Sequence, residues 1–199
     1  MDKIIRECLS ESIDVKNRIL DDSSLLEKIK EISLVVIEAY RNKRKLILFG
    51  NGGSAADAQH IAGELVSKFK LERAALPAIA LTTNTSILTS IANDYDYSKI
   101  FARQVEALVE EGDVVIGIST SGVSSNVLKG IEIAKRKGAK TIGFTGRDKS
   151  RLAEIVDFAL KVPSSDTPRI QETHITILHI ICHLVERELF GYLVKEDEK

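Results

Sequence analysis

The chain has 199 residues, 44% hydrophobic and 29% charged, with 28 Lys and Arg against 29 Asp and Glu for a net charge of -1. That length suits a single domain, 1–199, with a substantial core, and the balanced charge argues against nucleic-acid binding. Charges interrupt the apolar residues of the N-terminus, no run approaches the roughly 20 apolar residues that span a bilayer, and the two cysteines, Cys8 and Cys182, lack ligand-like spacing, so neither signal peptide, membrane span nor disulfide framework is expected and the setting reads as cytoplasmic.

Ile4, Ile5, Leu9, Ile13, Val15 and Ile19 recur among charges, predicting an amphipathic helix over 2–19. Asp21 to Ser24 supply a break and a cap, and a second helix follows to about Asn42. Two helices ahead of the first strand exceed what a small sheet needs. The stretch 1–44 therefore either packs on its own domain or buries its apolar stripes in an oligomer.

Leu46 to Phe49 form a continuous apolar run, which suits a strand buried on both faces of a parallel sheet. The run ends in Gly50-Asn51-Gly52-Gly53-Ser54, whose glycines permit positive φ and close backbone approach. Ser54 with Asp57 has the spacing of a capping box. A helix from Ser54 to Phe69 then points its free N–H groups at whatever sits above the turn, and an anion suits that place. The same pattern also serves as a plain tight connection.

Further strands are predicted at 77–81, 114–118, 140–144 and, more weakly, 158–162. Helices are predicted at 86–92, 97–110, 124–137 and 168–190, the last with Pro168 in its first turn. Strands alternating with helices predict an α/β fold, three-layered and doubly wound, with a five-stranded parallel sheet flanked by helices. Ligands in such folds bind beyond the carboxyl ends of the strands, where the strand order reverses. The turns at 50–54 and 119–124 lie at such ends.

Ser119-Thr120-Ser121-Gly122, with Ser124, gathers hydroxyls at a helix start. They either cap that helix or cradle a phosphomonoester. No Gly-Lys-Ser/Thr and no Gly-x-Gly-x-x-Gly accompanies them, which excludes a P-loop and a dinucleotide site. His60 and Glu64 are four apart and share a helix face, as a surface pair, metal ligands or a base beside a polariser. The last helix carries Arg169, Gln171, Glu172, His174, His179 and His183 among many apolar residues. Gln171 and His179 sit about two turns and roughly 80° apart, so they can line one pocket. His174 and His183 read as packed or surface histidines.

Together, residues 50–60, Glu64, Asn93-Asp94-Tyr95, 119–124, Arg169-Ile170-Gln171-Glu172 and His179 resemble the phosphoheptose isomerase family of the sugar isomerase (SIS) domain superfamily, over nearly the whole chain. The resemblance implies conversion of sedoheptulose 7-phosphate to D-glycero-D-manno-heptose 7-phosphate through an enediol, the first step of nucleotide-activated heptose synthesis. It implies a homotetramer with active sites at subunit interfaces. It implies Zn2+, one per subunit, on His60, Glu64, Gln171 and His179. Glu64 would be the base and His179 the acid, with Glu64 also a ligand, two roles in tension. The substrate would be held by Asn51, Gly52, Gly53, Ser54, Asn93, Asp94, Ser119, Thr120, Ser121, Ser124 and Gln171. Pro168 departs from members with an acidic residue there; Asp166 lies two residues earlier. The competing expectation is a non-catalytic SIS protein that senses a phosphosugar or binds a replication initiator. Glu64 and His179 speak against it, because binding alone needs neither.

Overall fold

The computed structural model describes residues 1–191. In chain order the elements are α1 (Asp2–Leu20), α2 (Ser23–Arg41), β1 (Leu46–Gly50), α3 (Gly53–Val66), β2 (Ala78–Ala80), α4 (Thr85–Asp94), a 3-10 turn (Tyr97–Lys99), α5 (Ile100–Leu108), β3 (Val114–Ile118), α6 (Ser125–Arg136), β4 (Lys140–Thr145), α7 (Arg151–Ile155), β5 (Phe158–Lys161) and α8 (Thr167–Phe190). The sheet is entirely parallel, in the order β2-β1-β3-β4-β5. Among the described residues, no helix is long and apolar enough to cross a membrane.

The continuous apolar runs have a direct structural reason. Successive strand residues point to opposite faces, and here both faces are covered. Leu46 and Leu48 join Ile116, Ile142 and Phe144 in a core under α2, α3 and α8. Ile47 and Phe49 join Val115, Phe101 and Ile131 in a second core under α5, α6 and α7. Register across the centre pairs Leu46 with Val114 and Gly50 with Ile118. The chain leaves β1 toward β2 on one side and leaves β3 toward β4 on the other. The order therefore reverses between β1 and β3, which opens a crevice above their carboxyl ends.

The two leading helices behave differently. Asp22 caps α2, its carboxylate accepting from the Ser24 and Leu25 N–H groups. α2 packs into its own domain through Ile29, Ile32, Val36 and Ile37. Of α1's residues, only Val15 and Ile19 are buried, while Ile4, Ile5, Leu9 and Ile13 stay exposed.

Several boundaries differ from expectation. α7 is an extra short helix, capped by the Ser150 hydroxyl accepting from Ala153 N–H. α3 stops at Val66 rather than Phe69, because the N–H groups of Phe69, Lys70 and Leu71 turn to the Glu186 carboxylate. The capping box does not form. α3 starts at Gly53 with Gly52 as its cap, so Ser54 lies inside the helix, and no side chain caps it.

Candidate functional site

Beyond β1, of the three turn glycines only Gly52 adopts positive φ, at 55°. Gly53 answers a different need. A Cβ on it would lie 1.8 Å from Gln171 Nε2, so the α8 side chain rests directly on the turn's backbone. Asn51 reaches sideways. Its Nδ2 donates to Asn126 Oδ1 at 2.9 Å, and Asn126 Nδ2 donates back to Asn51 Oδ1 at 2.8 Å. That reciprocal amide pair bridges the β1–α3 turn and the first turn of α6 across the crevice. The Tyr97 hydroxyl also reaches Asn51 Oδ1, at 3.4 Å.

Beyond β3, the hydroxyl-rich turn closes on itself. Ser119 Oγ lies 3.0 Å from Ser124 Oγ and 3.4 Å from Ser121 Oγ, and accepts from Gly122 N–H at 3.1 Å. Gly122 has φ of 68°, and a Cβ there would strike Ser150 Oγ at 2.0 Å. The Thr120 carbonyl accepts from Gly146 N–H at 3.0 Å, which stitches the turn to the end of β4. Ser124 precedes α6 without capping it through its side chain, so its hydroxyl faces the other serines. Clustered hydroxyls beside the N–H groups of a helix N-terminus form a donor site for an anion.

The titratable residues meet between α3 and α8. His60, Glu64 and His179 each offer a ligand atom, and all three atoms lie within 4.8 Å of one another. His60 Nε2 stands 2.8 Å from His179 Nε2 and 3.1 Å from Glu64 Oε1. Two imidazole nitrogens so close need a shared proton or a cation between them, and two nitrogens with a carboxylate oxygen form a donor set suited to zinc. These residues therefore fit a metal ion. Burial, then the neighbouring His60, lower the His179 pKa, against an opposing pull from Glu64. The Phe69 ring stacks on His179 at 5.6 Å and 23°.

Asp57 lies one turn before His60. Burial raises its pKa to about 6 although His60 pulls it down, and its Oδ2 is buried with no partner among the described residues. Asn93 and Asp94 sit at the end of α4, where Asn93 Nδ2 donates to Asp94 Oδ1 at 2.9 Å. Ser54 is buried in the first turn of α3. Asp166 is the residue before α8 but caps nothing through its side chain, and its Oδ2 lies 3.9 Å from Arg169 Nε. His174 is fully buried, whereas His183 is half-buried near the Phe69 ring.

Three participants escape sequence reasoning. Asn126 is one, although a polar residue following two serines in the first turn of a helix was a usable signal. Phe69 is another, since its apolarity looked like more of α3's stripe. The third is the buried Glu186–Arg73 pair, whose members are 113 residues apart; no local pattern joins them.

Comparison with known proteins identifies the family and the fold. The SIS domain family matches residues 11–146. The chain is 56% identical to the phosphoheptose isomerase of Clostridium acetobutylicum, over 98% of this chain and 100% of that one. Among solved structures, the phosphoheptose isomerase of Neisseria gonorrhoeae is 38% identical with a TM-score of 0.87, covering 93% of this chain and 98% of its own. The phosphoheptose isomerase of Francisella tularensis is 34% identical with a TM-score of 0.89, covering 93% and 97%.

Proposed function

Because the chain belongs to the phosphoheptose isomerase family of SIS-domain proteins, we propose that it interconverts sedoheptulose 7-phosphate and D-glycero-D-manno-heptose 7-phosphate. The observation that carries this reading is the approach of the Glu64 carboxylate and the His179 imidazole, from two helices, to within 4.8 Å. They meet between α3, which starts at the β1 turn, and α8, whose Gln171 rests on that turn.

The phosphate lies on Ser119, Thr120, Ser121 and Ser124, with the N-terminus of α6 behind them. Asn51, Ser54, Asn93, Asp94 and Gln171 hold the sugar hydroxyls; Gly52 admits the sugar close to the backbone, whereas the face of Gly53 is taken by Gln171. On the open-chain ketose, Glu64 takes the proton from C1 as the C2 carbonyl becomes an enediol hydroxyl. Its carboxylic acid then returns the proton to C2, and C1 becomes the aldehyde. His179, whose pKa burial and then His60 lower, gives a proton to O2 and takes one from O1. Such positioned acid and base groups contribute about 10²–10⁴-fold each. His60, Glu64 and His179, with Gln171 as the fourth ligand implied by the family, would hold one zinc ion per subunit. Bound there, zinc would polarise the carbonyl and stabilise negative charge on the enediol oxygens.

The protein so read is cytoplasmic and homotetrameric, with active sites at subunit interfaces, and feeds nucleotide-activated heptose synthesis. The exposed apolar face of α1 supports the assembly. The test is incubation with sedoheptulose 7-phosphate in deuterated water, followed by NMR. Aldose carrying deuterium at C2 is expected. No aldose after loading with zinc would overturn the proposal.

A further inference from the structure

We propose that Glu186 and Arg73 form a buried clamp that positions the reacting groups, acting through Phe69 on His179 and through the end of α3 on Glu64. The inference rests on the isomerase reading of those two residues.

Glu186 is 1% exposed and the Arg73 side chain 0%. The carboxylate is fully engaged. Its Oε1 accepts from Phe69 N–H and Arg73 Nε, both at 3.0 Å, and its Oε2 accepts from Lys70 N–H at 2.8 Å and Leu71 N–H at 3.2 Å. The guanidinium is equally engaged. Nη1 donates to the carbonyls of Leu65 at 2.7 Å, Ala74 at 3.1 Å and Ser67 at 3.2 Å, and Nη2 to that of Glu64 at 2.9 Å. The pair thus locks the strap 67–74 and the last turn of α3 onto α8.

Residue by residue, the lock points at the chemistry. Glu186 follows His179 by seven positions, which places both on one stripe of α8 about 10 Å apart. Phe69 is held at both ends. Its N–H is bonded to Glu186, and its ring lies flat on His179. Glu64 is held by its own carbonyl. A buried ion pair is poor evidence for stability, because apolar side chains of similar volume often serve as well. What such residues cannot supply is direction, and a catalytic group displaced by about 1 Å can cost on the order of 10²-fold in rate.

The test compares Glu186→Gln and Phe69→Leu with Ile131→Ala. The last is a control that opens the core on the opposite face of the sheet. Phe69→Leu keeps the backbone N–H and the apolar bulk but removes the ring. Turnover should fall about 30-fold in Glu186→Gln and about tenfold in Phe69→Leu, with KM within about twofold. Zinc affinity, read by competition with a chromophoric chelator, should fall by about tenfold in both, the scale of outer-shell effects. Ile131→Ala should lose melting temperature yet keep turnover and affinity.

The clamp is overturned if Phe69→Leu keeps both quantities within about twofold of wild type. It is equally overturned if Ile131→Ala loses as much turnover for the same fall in melting temperature. Should Glu186→Gln fail to fold, Phe69→Leu decides alone. A wild-type chain that binds zinc without isomerising the sugar sinks the isomerase reading instead, and zinc affinity of the variants then decides this one.

Discussion

At the scale of single residues, Glu64 carries the sharpest prediction. Glu64→Gln keeps size and polarity but cannot accept the C1 proton. Turnover should fall by at least about 10²-fold while phosphosugar binding, measured by calorimetry, changes little. Retained turnover would take the base role from Glu64. His174 carries a second prediction, about stability. Its Nε2 faces the Thr145 carbonyl at 3.2 Å and so bears the proton, while its buried Nδ1 has no partner among the described residues. Burial lowers its pKa to about 4 from an ordinary 6.5, against a smaller opposite pull from that carbonyl. The folded value lies below the unfolded one, so the folded chain binds fewer protons between them. The contribution is complete above pH 6.5 and is lost as the pH falls toward 4, up to about 3 kcal/mol. Urea midpoints should drop across that window in wild type and less steeply in His174→Leu. Parallel curves would remove His174 as the cause.

At the scale of elements, the close seat of Gln171 on Gly53 predicts a selective defect. In Gly53→Ala the new Cβ meets only the movable end of a side chain, and Gly53 has no positive φ to strain. The melting temperature should stay within a few degrees. Meanwhile kcat/KM should fall by about tenfold, the equivalent of one positioned hydrogen bond of about 1.4 kcal/mol. Unchanged kinetics would detach Gln171 from the substrate. The same elements show what the sequence makes legible. β1, β3 and β4 declare themselves because strands covered on both faces must be apolar throughout. β2 is shorter than its apolar run, and α7 is too short to show a period. The apolar pattern overruns α3 because Phe69 continues it while its N–H answers to Glu186. His60 and Glu64 were visible as a pair, for one helix spaces them. Their meeting with His179 depends on the crossing of two helices, and only the family resemblance anticipated it.

At the scale of the whole molecule, α1 leaves an apolar ridge facing solvent. Ile5, Leu9 and Ile13 recur every four residues and are 56%, 60% and 59% exposed. In the homotetramer proposed above, this ridge is where another copy would pack. Replacing Leu9 and Ile13 with Glu should therefore shift the mass seen by light scattering to a smaller species, with turnover reduced in proportion. An unchanged mass would remove α1 from the proposed assembly. Removing divalent metal with a chelator should likewise lower turnover, and adding zinc back should restore it. Full activity in metal-free protein would leave His60 without a chemical part.

The pairing of Gly50 with Ile118 sets a limit of its own. The two turns hang from neighbouring strands, which any parallel sheet keeps about 4.8 Å apart. The frame is thus a ruler with a single graduation, blind to the number of carbons between a sugar's two ends. A lineage that came to favour a shorter or longer sugar would leave β1 and β3 untouched and change the lengths and tilts of α4 and α8.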